Sequence, residues 1–352
     1  MSSHIYTLFA TCWRSYLARL GRYVTMLAGL AVLFLPTIGT SEVTLAAPHA
    51  VQRTGTPVRL VEFRLPSDGS GPFSIVQGPR GTLWFAEKFG GRIGTLTTDG
   101  DLDEFTIPSA KSLPSSIIYT NNNRFWFTEN GSNRIASITR DGEIREYSVP
   151  TAKSGPQAIV NAPDGTFWFT ENLTGKIGHL DTDDESIHEF SLSNAGSKPY
   201  GITIGPDDNI WFTERLGNKV GRITPQGNIT EFPVPTKNSG PSIIIPGLDG
   251  NLWFSEYYSN KIARITPDGV ITEFATPTDD SGPEGLTIGA DNHIWFTECD
   301  KGKLARLNDN GSVTEFPLPN ANSMPNSITS GPNGTLWFTE IHTSQIGRFI
   351  IP

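Results

Sequence analysis

The sequence predicts an all-β, seven-bladed β-propeller with four antiparallel strands per blade. Three observations predict it. Seven tryptophans recur at a near-constant interval, each surrounding segment holds four short β-like runs, and the two chain ends carry complementary fragments of one repeat.

The interval comes first. Trp84, Trp126, Trp168, Trp211, Trp253, Trp295 and Trp337 are spaced by 42 residues, once by 43. Phe follows each Trp, and three places on stands a Glu: Glu87, Glu129, Glu171, Glu214, Glu256, Glu298 and Glu340. Four strands in about 42 residues is the arithmetic of a propeller blade. In the copy from Ser239 to Thr278 the expected strands are Ser242–Ile245, Asn251–Ser255, Lys261–Ile265 and Ile271–Phe274. Asp249-Gly250 and Asp268-Gly269 supply the hairpin turns between them. One four-stranded sheet cannot cover both of its faces. Seven around an axis can, with Trp and Phe of the second strand filling the space between blades.

The ends predict closure. The last repeat stops after its third strand, at Arg348-Phe349-Ile350-Ile351-Pro352. An orphan run, Val58 to Pro66, matches the missing fourth strand. The N-terminal strand is therefore expected to complete the last blade and remove an open edge. The propeller is expected to span residues 58–352, after a linker at 48–57.

Residues 1–47 read as an export segment. Arg14, Arg19 and Arg22 precede the apolar run Met26 to Leu35, and small residues follow up to Ala47. A cleaved signal peptide is expected, with an uncleaved anchor as the alternative. The run is short for a membrane span of about 20 residues. The protein is thus expected to be secreted or otherwise extracytoplasmic, and monomeric. Cleavage would also remove Cys12 and leave Cys299 alone, so no internal disulfide is expected.

Composition agrees. Gly (36) and Pro (26) suit many short strands and turns. The net charge of −9 argues against nucleic acid and anionic membrane surfaces as partners. Two cysteines exclude a Cys-based zinc or iron–sulfur site.

Residues present in every copy are best assigned to the scaffold. The seven Glu are expected to pair with the basic residue that follows (Arg92, Arg134, Lys176, Lys219, Lys261, Lys303) or to cap a turn, not to ring a cation. Function should sit where the copies differ. One variable position follows the Pro that opens each blade: Phe73, Ser115, Gln157, Tyr200, Ser242, Glu284 and Asn326. Another follows the repeated Glu: Lys88, Asn130, Asn172, Arg215, Tyr257, Cys299 and Ile341. Both sets are expected at one axial mouth. Phe73, Gln157, Tyr200, Arg215, Ser242, Tyr257, Glu284 and Asn326 are the expected ligand-binding residues.

The unit from Pro199 to Phe232 (P-x-G-I-T-x-G-P-D, I-W-F-T-E, N-K-V-G-R-I-T, I-T-E-F) resembles the streptogramin B lyases, the virginiamycin B lyase family. The resemblance runs from about 58 to 352 and implies a seven-bladed propeller. It implies elimination at the ester linkage of cyclic depsipeptide antibiotics, with magnesium assisting. It places His directly after a blade-opening Pro, and metal-binding Glu just before one such Pro and just after the W-F segment. This sequence departs at those places. The matching copies are Pro283-Glu284-Gly285-Leu286 and Pro325-Asn326-Ser327-Ile328, and none of the seven positions is His. Gly282 and Met324 precede those prolines, where the resemblance would place Glu.

The reading is therefore a secreted propeller that binds a small molecule or macromolecule at its mouth without streptogramin lyase chemistry. No cofactor is expected, and magnesium only if that chemistry is retained. The alternative is a lyase or hydrolase using divergent mouth residues. Glu284 is then the candidate base with Arg215 or Lys198 supplying charge, and Tyr200 and His342 are further candidates.

Overall fold

The computed structural model describes residues 59–120 and 122–352. The expected signal peptide at 1–47 and the linker at 48–57 lie outside the described residues. The rest forms seven separate four-stranded antiparallel sheets, one per repeat. In the Ser239 copy the strands are Pro241–Pro246, Leu252–Glu256, Lys261–Ile265 and Ile271–Ala275. The expected turns are there: Gly250 and Gly269 adopt φ of 73° and 90°, the left-handed region that glycine enters without strain.

The final blade closes as the ends imply. Its inner three strands are Pro325–Ser330, Thr335–Glu340 and Gln345–Ile350, and its outer strand is Leu60–Arg64. Leu60 lies opposite Phe349 and Phe63 opposite Ile346. The first strand thus occupies what would otherwise be an unpaired sheet edge.

Packing between blades follows one rule. The Trp of one blade stacks into the next blade's second strand: Trp84 meets Phe125 and Phe127, Trp168 meets Ile210 and Phe212, and Trp337 meets Leu83 and Phe85. Trp84 and Phe125 stack with centroids 4.0 Å apart. Trimming one such Trp to Ala would cost about 3–5 kcal/mol.

The repeated Glu correct one expectation. Only Glu87 pairs with its basic neighbour, Arg92, at 3.0 Å. Elsewhere the Lys or Arg reaches past the Glu opposite it to a Glu on the outer strand: Arg134 to Glu146 (2.6 Å), Lys176 to Glu189 (2.9 Å), Lys219 to Glu231, Lys261 to Glu273 (2.7 Å) and Lys303 to Glu315 (2.6 Å). The reason is solvation. All seven repeated Glu are fully buried, and a long cationic side chain keeps its head toward water. The turn-capping alternative holds in four blades. Glu129, Glu171, Glu256 and Glu340 accept from the hydroxyls of Ser132, Thr174, Ser259 and Thr343, each three residues on. Burial with so few donors pushes Glu129, Glu171, Glu256 and Glu340 up to about 7 and Glu298 up to about 8.

Candidate functional site

Each inner strand opens with a β-bulge. In blade three Pro156 lies opposite Glu171 and Ile159 opposite Phe169, so one extra residue is inserted between them. The same shift recurs in every blade. A bulge re-aims side chains, and here it falls on the variable residue after the Pro.

The bulges are fixed by the Thr or Ser that precedes the repeated Glu. Thr170 Oγ1 accepts the Ala158 N–H at 3.0 Å and donates to the Tyr200 carbonyl of the next blade at 2.9 Å. Ser255 does the same for Ile243 (3.2 Å) and Glu284 (2.7 Å). Thr297 does it for Gly285 (2.9 Å) and Asn326 (2.9 Å). Each variable residue is thus anchored by its carbonyl to the preceding blade, which leaves the side chain free to differ. Blade one is the exception, with Ala86 at this position.

Six of the seven variable inner residues line one axial cavity of about 300 Å³: Phe73, Ser115, Gln157, Tyr200, Glu284 and Asn326. The rest of the lining is mixed, with Ile118, Val160, Ile245 and Leu286 beside Ser74, Ser116, Thr203 and Ser327. Ser242 is fully buried behind this ring and donates to Glu284 Oε1 at 2.7 Å.

Glu284 is 3% exposed and Arg215 answers it. The guanidinium makes two parallel contacts, Nη1 to Oε1 and Nη2 to Oε2, both 3.3 Å, and Nη1 also donates to Ser242 Oγ at 3.2 Å. Three tyrosines surround the cation: Tyr257 at 4.5 Å, Tyr200 at 4.6 Å and Tyr258 at 5.5 Å from ring centroid to guanidinium carbon. Burial works against the Arg215 charge, but the Glu284 carboxylate and the surrounding Tyr200, Tyr258 and Tyr257 together outweigh it and the pKa rises. Burial also raises the Tyr200 and Tyr257 phenols, so both stay neutral. The Tyr257 hydroxyl donates to Asp300 at 2.9 Å.

The first three blades supply a different wall. Lys88 sits 3.8 Å above the Phe73 ring. Burial pulls its ammonium down to about 8, with Glu284 acting upward and Arg215 downward. Asn130 donates to the Gly155 carbonyl and to Gln157 Oε1, at 3.1 and 3.3 Å. Asn172 donates to the Pro199 carbonyl at 3.0 Å.

The virginiamycin B lyase family profile matches residues 39–194 and 147–351. The chain belongs to the virginiamycin B lyase family. Virginiamycin B lyase from Staphylococcus aureus is 38% identical over 83% of this chain and 99% of that one, with a TM-score of 0.79. A streptogramin B lyase structure is 37% identical over 82% and 96%, again at 0.79. Virginiamycin B lyase from Bacillus licheniformis matches at 42% identity over 45 residues, 15% of its length.

One expectation for the site needs correction. His342 does not line the central cavity. It is exposed, with Nδ1 3.1 Å from the Asn322 carbonyl, and borders a separate depression with Arg64, Asp68 and Gln345. Its position in the turn after the second strand carries it outward. Cys299 and Ile341 are buried, and the Cys299 thiol acts on the Tyr200 and Tyr257 phenols of the mouth. Arg215 does supply charge to Glu284. Tyr258 and Lys88 were not among the expected binding residues. The signal for Lys88 was its variable position after the repeated Glu, and for Tyr258 its place directly after Tyr257.

The residues present do not suit the magnesium that the family implies. A hard cation takes several oxygen ligands, mostly carboxylates and carbonyls. Among the described residues no three His, Cys, Asp or Glu converge on a point. Of the two carboxylates at the mouth, Glu284 already faces a guanidinium and Asp300 accepts from Tyr257.

Proposed function

We propose that this chain is a ligand-binding member of its family whose central mouth does not carry out streptogramin B ring opening. The observation that supports this most is the bidentate Arg215–Glu284 pair at the position where the family resemblance places a histidine. A general base must accept a proton from substrate, and its lone pairs must be available to do so. Both Glu284 oxygens are engaged by Arg215, and Oε1 also by Ser242. Removing that carboxylate from its guanidinium would leave a buried charge unpaired.

Tyr200 is no better placed as a base, because burial raises its phenol. The structure of a histidine-to-alanine variant of the S. aureus enzyme with quinupristin describes that variant as catalytically inactive. The same residue type is missing at every blade-opening position of this chain. What remains is an anchored, mixed aromatic and polar ring lining a cavity with several aliphatic side chains, the usual make-up of a small-molecule site. Export from the cytoplasm is part of the same reading, on the basic and apolar segment before residue 48.

The test is direct. The protein is incubated with a streptogramin B and magnesium, and ring opening is followed as a shift in the product's chromatogram and fragmentation pattern, since elimination gives a linear isomer of unchanged mass and hydrolysis would add one water. No turnover above the uncatalysed rate is expected. Turnover at enzymatic rates would overturn the reading.

A further inference from the structure

The two cations of the mouth are not equivalent. Arg215 is neutralised by Glu284. Lys88 has no carboxylate within ion-pair distance among the described residues; its recorded contact is the face of Phe73. A half-buried cation held over an aromatic face, with no carboxylate within ion-pair distance, is a place for an anion to bind.

The surroundings of Lys88 agree. The side chains at the two variable positions of blades one to three are Phe73, Lys88, Ser115, Asn130, Gln157 and Asn172, and none is acidic. The acids of the mouth, Glu284 and Asp300, belong to blade six and its following turn. Glu284 is held by Arg215, and Asp300 accepts from Tyr257. Gln157 borders the cavity and its Oε1 is taken by Asn130, so its amide N–H group is the polar face left over. The same cavity also presents aliphatic side chains, among them Ile118, Val160 and Ile245, beside the hydroxyls of Ser116 and Thr203.

We propose that the mouth is an organic-anion site. A carboxylate seats against Lys88 and the Gln157 amide, and an apolar tail enters the inner-strand cavity. The fixed Arg215–Glu284 pair forms the opposite wall and keeps the Glu284 charge from repelling the ligand. This deepens the binding role proposed above and rests on it.

Linkage follows from the groups facing Lys88, which are Glu284 and Arg215. The ammonium is lowered to about 8 in the free mouth, so it is mostly charged at neutral pH and mostly neutral above pH 9. Carboxylate binding favours the charged form. Affinity is therefore expected to fall as pH rises through and beyond 8.

The experiment uses the full chain and three probes of one shape: octanoate, octanamide and octylammonium, measured by titration calorimetry. At pH 7 octanoate is expected to bind at least about tenfold more tightly than the other two. Lys88→Met should lose about tenfold or more for octanoate while its unfolding midpoint stays near that of the parent. Lys88→Arg should keep octanoate binding at pH 9.5, where the parent has lost it, because guanidinium stays charged. Equal binding of the three probes, no binding of octanoate, or undiminished binding by Lys88→Met would overturn the anion site. Equal binding would still leave the mouth a ligand site, whereas streptogramin ring opening would overturn the reading beneath it.

Discussion

Two sets of buried carboxylates occupy this propeller, and they are handled in opposite ways. The repeated Glu, such as Glu171, Glu256 and Glu298, sit at the seams between blades with at most a hydroxyl for a partner. Burial raises them toward or past neutrality, so part of each population is protonated. Glu284, at the mouth, is just as buried but receives a guanidinium and a hydroxyl. Six copies raised by burial mark a scaffold that tolerates a neutral acid; the seventh, Glu87, is met by Arg92. One copy, met by one Arg from a different blade, marks a site where charge is held in place.

The largest effect that separates the two sets is on pH. A carboxyl with a folded pKa above its ordinary 4.5 binds its proton more tightly folded than unfolded. Its stabilising contribution is therefore present at acid pH and is lost as pH rises from about 4.5 through 7 to 8. Five such groups should cost several kcal/mol together, on the order of 1 kcal/mol or more each after relaxation and water entry. The outer-strand partners Glu189, Glu273 and Glu315 act the other way. Burial would raise them, but hydrogen bonds from Thr and Lys lower them, and their contribution fades below about pH 4.5. Denaturant midpoints should thus peak near pH 5 and drop by pH 8. A midpoint that is flat or rising over that range would show the seam Glu to be ionised and solvated.

Next in size is the loss of Arg215. Arg215→Met would strand Glu284 without its cation and should cost about 3–5 kcal/mol in chemical denaturation. The equivalent change at a seam, Lys176→Met, should cost much less, since Lys176 and Glu189 are both partly exposed. Similar costs at the two places would erase the distinction.

The smallest effect concerns the stitching beneath the mouth. Thr170→Val removes one acceptor for Ala158 and one donor to Tyr200, leaving the N–H and the carbonyl short of a partner. A loss of about 1–3 kcal/mol is expected. Blade one carries Ala86 at this position, so a single missing stitch is compatible with the fold. A cost within error of zero would mean that the bulges hold themselves.

The blade count, the strand order and the closing strand were legible because they depend on a pattern written seven times. A Trp spacing of 42 residues and a terminal fragment matching I-T-E-F suffice to derive them. The ion pairs at the seams were only half legible. Glu171 and Lys176 are cross-strand neighbours, which invites pairing them. What decided otherwise was depth, since Lys176 reaches outward to Glu189 and that Glu is part of the same repeated motif. The mouth ring was legible in outline, because the variable residue after each Pro was visible. The bulge that places it was not, since a one-residue register shift leaves no mark in composition. The Arg215–Glu284 pair joins blades four and six across 69 residues, and only the placing of the blades around a common axis brings its partners together. His342 failed for a local reason: a position two beyond the repeated Glu already belongs to the outward part of the turn.

The claim that organises all of this is that Glu284 and Arg215 form one coupled unit. A double-mutant cycle of Arg215→Met and Glu284→Gln, read by equilibrium unfolding, measures it. The account predicts a coupling of about 1.5 kcal/mol or more, with the double variant more stable than Arg215→Met alone. Strictly additive losses would contradict it, and would return Glu284 to the list of free carboxylates able to act as a base.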